Sequence, residues 1–223
     1  MDTPDPECTA RKRGRPPRGT EDLRRREMLK AAETIFMEQG FGNASMEAVA
    51  KLAGISKKTI YTFVETKEEL FEEVMKDHIA STDRPNLHDD IRDLADLEST
   101  LADYLFRLPR FILGPFAVRV FRLAVAEAMR FPNIAQSFYR QGALRSVHQL
   151  EDWLRIQIKS GWIALDDPME GAVMLTSLVV LDPLRAAALG VAALPSEDAM
   201  KARAEHAAKI FLHGCLSPVP APR

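Results

Sequence analysis

The sequence predicts an all-α protein: an N-terminal three-helix helix-turn-helix unit with a larger helical domain behind it. Three observations lead there. Apolar residues recur at i, i+3, i+4 and i+7, as in Met46, Val49, Ala50 and Ala53. Gly, Pro, Ser, Thr and Asp punctuate these periods at helix-length intervals. No stretch alternates as a strand would, and no internal repeat or Gly-rich phosphate loop stands out. Four segments follow: an arm over 1–19, the helix-turn-helix unit over 20–80, a helical domain over 81–216, and a tail over 217–223.

The arm is rich in Pro, Gly and charge without an apolar period, a composition expected to stay disordered when free. Arg11, Lys12, Arg13, Arg15 and Arg18 make it basic, and Arg24, Arg25 and Arg26 carry the charge onward. Arg13-Gly14-Arg15-Pro16 resembles the core of an AT-hook, whose arginines lie along a narrow A·T minor groove. A generic polybasic tail on phosphates is the alternative. Either adds affinity that falls with salt.

The first helix is expected from Thr20 or Glu21 to Gln39, with Met28, Ala31, Ala32, Ile35 and Phe36 buried and Gly40 ending it. Ser45 then caps a second helix, and a hydroxyl beside free N–H groups is a natural phosphate site. Gly54 stops that helix where φ above zero is easiest. Ser56 caps a third, so Lys57, Lys58 and Thr59 fall in its first turn, the part of a recognition helix that meets base edges. Lysines there oppose the helix dipole, which suggests that an external anion wants the charge. Thr66 and Glu69 form a capping box opening the fourth helix, Lys67 to about Ile79, with Leu70, Phe71, Val74 and Met75 on one face.

After a polar stretch, Ser81 to Asp90, Leu94, Leu97, Leu101, Tyr104, Leu105 and Leu108 outline a long helix that stops or kinks at Pro109. Further helices are expected over Ala117–Phe131, through Trp153 to Ser160, over Met169–Leu189 and over Ser196–Leu216. The Met169–Leu189 helix is apolar on more than one face, including Val173, Met174, Leu175, Leu178, Val179 and Leu181. It must therefore be buried on several sides; a second subunit is the natural cover, and an internal core helix is the alternative. Ala204, Ala207, Ala208, Phe211 and Leu212 on the last helix permit close approach.

Residues 28–75, MLKAAETIFMEQGFGNASMEAVAKLAGISKKTIYTFVETKEELFEEVM, resemble the N-terminal domain of the tetracycline-repressor (TetR) family of bacterial transcription regulators. The AA…F…GF helix, the Ser45 turn, the AGIS turn, Tyr61 and Thr66-Lys67 carry the likeness; Val64 departs from it, standing where the family more often has an aromatic. FRLAVAEAMRFPNIAQSFYRQG is similar to the C-terminal domain of the AefR-like branch. The resemblance implies backbone contacts to DNA at Ser45, Tyr61 and Lys67, and base contacts at Lys57, Lys58, Thr59 and Thr62. A purely core role for the Tyr61 ring is the alternative. It also implies a homodimer through the last two helices, for which Leu175, Leu178, Val179, Ala207 and Phe211 are candidates. A pocket for a small hydrophobic effector is implied in the C-terminal domain. Phe111, Phe116, Phe121, Met129, Phe138, Tyr139, Trp153 and Met174 are its candidate wall, and Arg119, Glu127 and Gln141 its candidate polar groups.

Together these features lead to a sequence-specific regulator, a ligand-released repressor, that binds a near-palindromic double-stranded operator as a dimer. A ligand-independent architectural regulator is the alternative that the arm allows. Net charge is only −2, so nucleic-acid binding must come from uneven distribution. His78, His88, His148, His206 and His213 lack metal-ligand spacing, and no nucleophile-elbow or catalytic-cleft pattern occurs. Neither metal, cofactor nor enzymatic activity is expected. Cys8 and Cys215 near opposite ends, without a signal peptide, fit a reduced cytoplasmic setting. The apolar run Ala172 to Leu181 is too short to span a bilayer, so no membrane partner is expected.

Overall fold

The computed structural model describes residues 18–80 and 85–215. The arm with Arg13 and Arg15, the Ser81 boundary and the 217–223 tail lie outside the described residues. So does the Phe111 side chain. The described residues form α-helices and no strand: α1 Arg18–Asn43, α2 Met46–Ala53, α3 Lys57–Ile60, α4 Lys67–Ala80, α5 Leu94–Ile112, α6 Pro115–Glu127, α7 Pro132–Phe138, α8 Leu144–Lys159, α9 Pro168–Leu189 and α10 Glu197–Cys215. A π-helical turn, Tyr139–Ala143, joins α7 to α8.

The helix boundaries follow the punctuation. Ser45 accepts from the Ala48 N–H at 3.1 Å and Ser56 from the Thr59 N–H at 3.1 Å, so each supplies an acceptor that the first turn lacks. Gly54 ends α2 at φ 66°, in the left-handed region, with its N–H returned to the carbonyls of Ala50 and Lys51. Gly40 breaks α1 at φ 76°, and the three residues after it turn the chain toward α2. Asp93 caps α5 and Asp167 caps α9 in the same way as the serines.

Some boundaries differ from expectation. α1 already begins at Arg18, so the last two residues assigned to the arm are helical. α5 does not stop at Pro109. It runs on to Ile112, because a proline removes one N–H without forbidding the turns on either side. The expected Ala117–Phe131 helix is α6, starting at Pro115 and stopping at Glu127, after which Pro132 opens α7. Proline is at home in a first helical turn, where its missing N–H has no partner to lose.

Two apolar cores result. One joins Met28, Phe36, Phe41, Val49, Ile60, Val64, Leu70 and Phe71 with Phe116, Val120, Leu123 and Ile134 from α6 and α7. The helix-turn-helix unit is thus closed by two helices of the C-terminal half. Phe41 stacks on Phe36 at 5.5 Å and meets Phe71 edge-on at 6.0 Å. Fully burying such side chains contributes about 1.5–3 kcal/mol each. The second core draws on α5, α8, α9 and α10, including Leu101, Tyr104, Trp153, Leu154, Leu175, Val179 and Phe211. Tyr104 donates its hydroxyl to the Ser146 carbonyl at 3.0 Å, and burial pushes that phenol's pKa up.

Pro85 and His88, ahead of α5, are held to α8. Trp153 donates its indole N–H to the His88 carbonyl at 2.8 Å, and Gln149 donates to that of Pro85 at 2.9 Å. By length and composition α9 is apolar enough to cross a membrane, since the helix extends well past the run Ala172 to Leu181. One face of it instead packs inside the protomer, through Leu175, Val179 and Leu184.

Candidate nucleic-acid interface and ligand cavity

α3 is a single turn, and its cap sets what it displays. Ser56 Oγ lies 2.8 Å from the Thr59 hydroxyl, and Thr62 donates to the Thr59 carbonyl at 2.6 Å. Lys57, Lys58 and Thr62 are exposed, and the Tyr61 ring is 46% exposed, so it is not a core residue. Thr59 is half-buried with its hydroxyl turned back to the cap, which leaves it less available to a base edge than expected. Lys57 pairs with Glu47 on α2; the hydrogen bond between them raises the lysine pKa and lowers that of the glutamate. That carboxylate was not anticipated, although its position in the first turn of α2 follows from the Ser45 cap.

Lys67 differs from its expected role. Its ammonium donates to the carbonyls of Phe41 at 2.7 Å, Gly42 at 3.4 Å and Ala44 at 2.9 Å, and sits 4.5 Å from the Phe41 ring centre. Its three protons are therefore spent inside the protein on the turn before α2. Here its ammonium points inward and braces the turn that leads to the Ser45 cap. Glu127 ties the same turn to α6, accepting from the Gly42 N–H at 3.0 Å. Phe131 completes the joint with its ring 5.1 Å from Phe41.

A cavity of about 380 Å³ lies between α4, α6, the π-helical turn, α8 and α9. Phe116, Phe121, Phe138 and Tyr139 line it as expected. Six other assignments are corrected. Met129 is 95% exposed at the end of α6, because the chain turns there to start α7. Met174 projects outward from α9, half-exposed. Gln141 donates to the Ser137 hydroxyl at 2.9 Å, away from the cavity. Trp153 belongs to the second core. Arg119 and Glu127 face α1 and its following turn, through Glu33 at 3.7 Å and Gly42 respectively, and supply no polar group to the cavity.

The polar side chains of the wall are instead His78, Thr176 and Ser177. His78 stacks on Phe116 at 3.8 Å, and burial pushes its pKa down. It falls on the apolar side of α4 with Met75 and Ile79, a placement that helical spacing alone could have shown. Thr176 was hidden among apolar neighbours. The long helix carrying the cavity wall at Met75 and His78 also carries Lys67 at its start, so α4 physically joins cavity and helix-turn-helix.

Of the candidate dimer residues, Leu175, Val179, Ala207 and Phe211 are buried within the protomer and only Leu178 is exposed. Helical phase explains the correction: Leu175 and Val179 point to α5, α8 and α10, while Met174, Leu178 and Leu181 occupy another face. Ile210 is the exposed apolar residue on α10, at 64%. No cluster of His, Cys, Asp and Glu able to hold a metal occurs among the described residues.

Fold and site define a helix-turn-helix protein whose second, all-helical domain encloses an apolar cavity. Residues 28–74 match the family described as bacterial regulatory proteins, tetR family, and residues 99–214 match the AefR-like transcriptional repressor C-terminal domain. The chain belongs to the TetR family. Its structure is similar to that of the flavonoid-responsive regulator FrrA, with TM-score 0.75 and 30% identity, covering 89% of this chain and 100% of that one. A TetR-family structure from Pseudomonas syringae aligns with TM-score 0.69 at 25% identity over 89% and 99% of the two chains. The repressor NicS of Pseudomonas putida is 32% identical over 97 residues, which are 41% of this chain and 46% of NicS. The chain thus spans less than half the length of that curated relative.

Proposed function

We propose that this protein is a cytoplasmic DNA-binding transcriptional regulator, a dimeric repressor released from its operator by a small, largely apolar effector. One observation carries the reading: α4 joins an exposed lysine-bearing turn to an apolar cavity. Lys57, Lys58, Tyr61 and Thr62 would meet a double-stranded operator. Base contacts from Lys57 and Lys58 would set sequence, while Ser45 and Tyr61 would set register on phosphates. Met174, Leu178 and Leu181, with Ile210, form the apolar face that a second protomer would cover.

Two α3 turns roughly 34 Å apart would read half-sites one helical turn apart in a near-palindrome. An effector that prefers a protomer geometry with another spacing would release the DNA, and a typical coupling of about 1–3 kcal/mol suffices. FrrA, by its name, responds to flavonoids, and NicS is named a repressor; both support this reading. The reading assigns no catalytic residue. It is tested by gel shift on the DNA flanking the protein's own gene, with and without aromatic compounds. A protected near-palindrome released by one compound is the expected result. Binding that no compound alters would favour a ligand-independent regulator, and no binding at all would overturn the proposal.

A further inference from the structure

One residue of the cavity wall carries a buried polar atom that no described group pairs with. Thr176 lies on the cavity lining, and its Oγ1 is buried with no hydrogen-bond partner among the described residues. A threonine on a helix ordinarily turns its hydroxyl to a carbonyl one turn back. Leaving it unpaired and dry is costly, and such a group is explained when something else supplies the partner. Among the described residues, the wall around it contains no Lys, Arg, Asp or Glu. Phe116, Phe121 and Phe138 provide aromatic surface, and the His78 ring lies stacked on Phe116 at 3.8 Å.

We propose that Thr176 is the specificity-determining anchor of the cavity, and that the cavity takes an uncharged aromatic molecule bearing a hydroxyl or carbonyl group. This rests on the cavity being the effector site. A threonine hydroxyl both donates and accepts, so it serves either group. A carboxylate or ammonium would lose its hydration and find no opposite charge in the wall. Ring faces and edges along α6 and α7 pair with an aromatic ligand in offset or edge-on geometry. The hydroxyl then selects among aromatic ligands of similar shape, because a ligand without a matching group leaves Thr176 unpaired.

The test uses the full chain with 13C-labelled methionine methyls and three probes of one shape: biphenyl, 4-phenylphenol and biphenyl-4-carboxylate. Met75 lies on the cavity wall, so its methyl resonance reports occupancy there. The expected result is that 4-phenylphenol shifts Met75 and binds tightest, while the carboxylate binds poorly. Thr176→Val, which keeps the side-chain shape, should weaken 4-phenylphenol roughly tenfold and leave biphenyl unchanged or tighter. Thr176→Ser should restore most of the loss. Equal loss for biphenyl and 4-phenylphenol in Thr176→Val, or a carboxylate that binds as well as the phenol, would overturn the anchor while leaving the effector site standing. No Met75 shift with any probe would overturn the effector site as well.

Discussion

The Lys67 ammonium lies 2.7 Å from the Phe41 carbonyl, at the point where α1 gives way to α2. This lysine is a brace: it gathers three carbonyls of the turn that ends in Ser45, and it does so from the first residue of α4. Lys67→Met should therefore lower stability by about 1–3 kcal/mol, since the carbonyls lose a charged donor. Denaturant unfolding checks this. On the proposed function, DNA affinity should fall by the same factor on every sequence, because a misplaced Ser45 cap disturbs register and not base reading.

On the proposed function, Glu47 competes with DNA for Lys57. The two pair across α2 and α3 in the protein alone, so binding must first separate them. Glu47→Gln should tighten operator binding several-fold at low salt and increase the salt dependence by about one released counterion. A fluorescence-anisotropy titration at several salt concentrations measures both. An unchanged salt slope would show that Lys57 does not approach a phosphate or base.

On the proposed dimer, the exposed and buried faces of α9 and α10 should respond differently. Leu178→Glu and Ile210→Glu fall on exposed positions and should yield folded monomers by sedimentation velocity. Leu175→Ala removes a fully buried side chain and should cost about 2–5 kcal/mol of protomer stability by leaving a cavity. Monomers from the second change without loss of stability would reverse this division.

Acid should weaken the fold through Asp96. Its carboxylate accepts from Arg92 Nε at 3.0 Å, Nη2 at 3.1 Å and the Arg92 backbone N–H at 3.1 Å, which lowers its pKa to about 2. An unfolded aspartate titrates near 3.9. The folded value is the lower one, so the contribution is complete above about pH 4 and is lost as pH falls toward about 2. Asp96→Asn should flatten that part of a plot of thermal midpoint against pH.

Much of this architecture was legible from local signals. Ser45, Gly54 and Ser56 act within one turn of themselves, so their caps and the left-handed end of α2 follow from residue type and spacing. Phe116, Phe121 and Phe138 could be assigned to a cavity only through the family resemblance, because aromatic residues at helical spacing mark a core more often than a pocket. Of the stop or kink expected at Pro109, the stop does not occur, because its local penalty is overridden by the packing of Leu105, Leu108 and Leu113 in the second core.

The linear chain determined the helices, their caps and the lysine-bearing turn, since these depend on hydrogen bonds and periods spanning only a few residues. Only the tertiary structure decided the partners of charged and polar groups far apart along the chain. It sent Lys67 inward to α1, Glu127 across 85 positions to Gly42, and the two apolar sides of α9 to a core and to an open face. The physical reason is that burial and pairing depend on what comes within a few ångströms in space, and helical periodicity tells which side a residue is on without telling what meets it there.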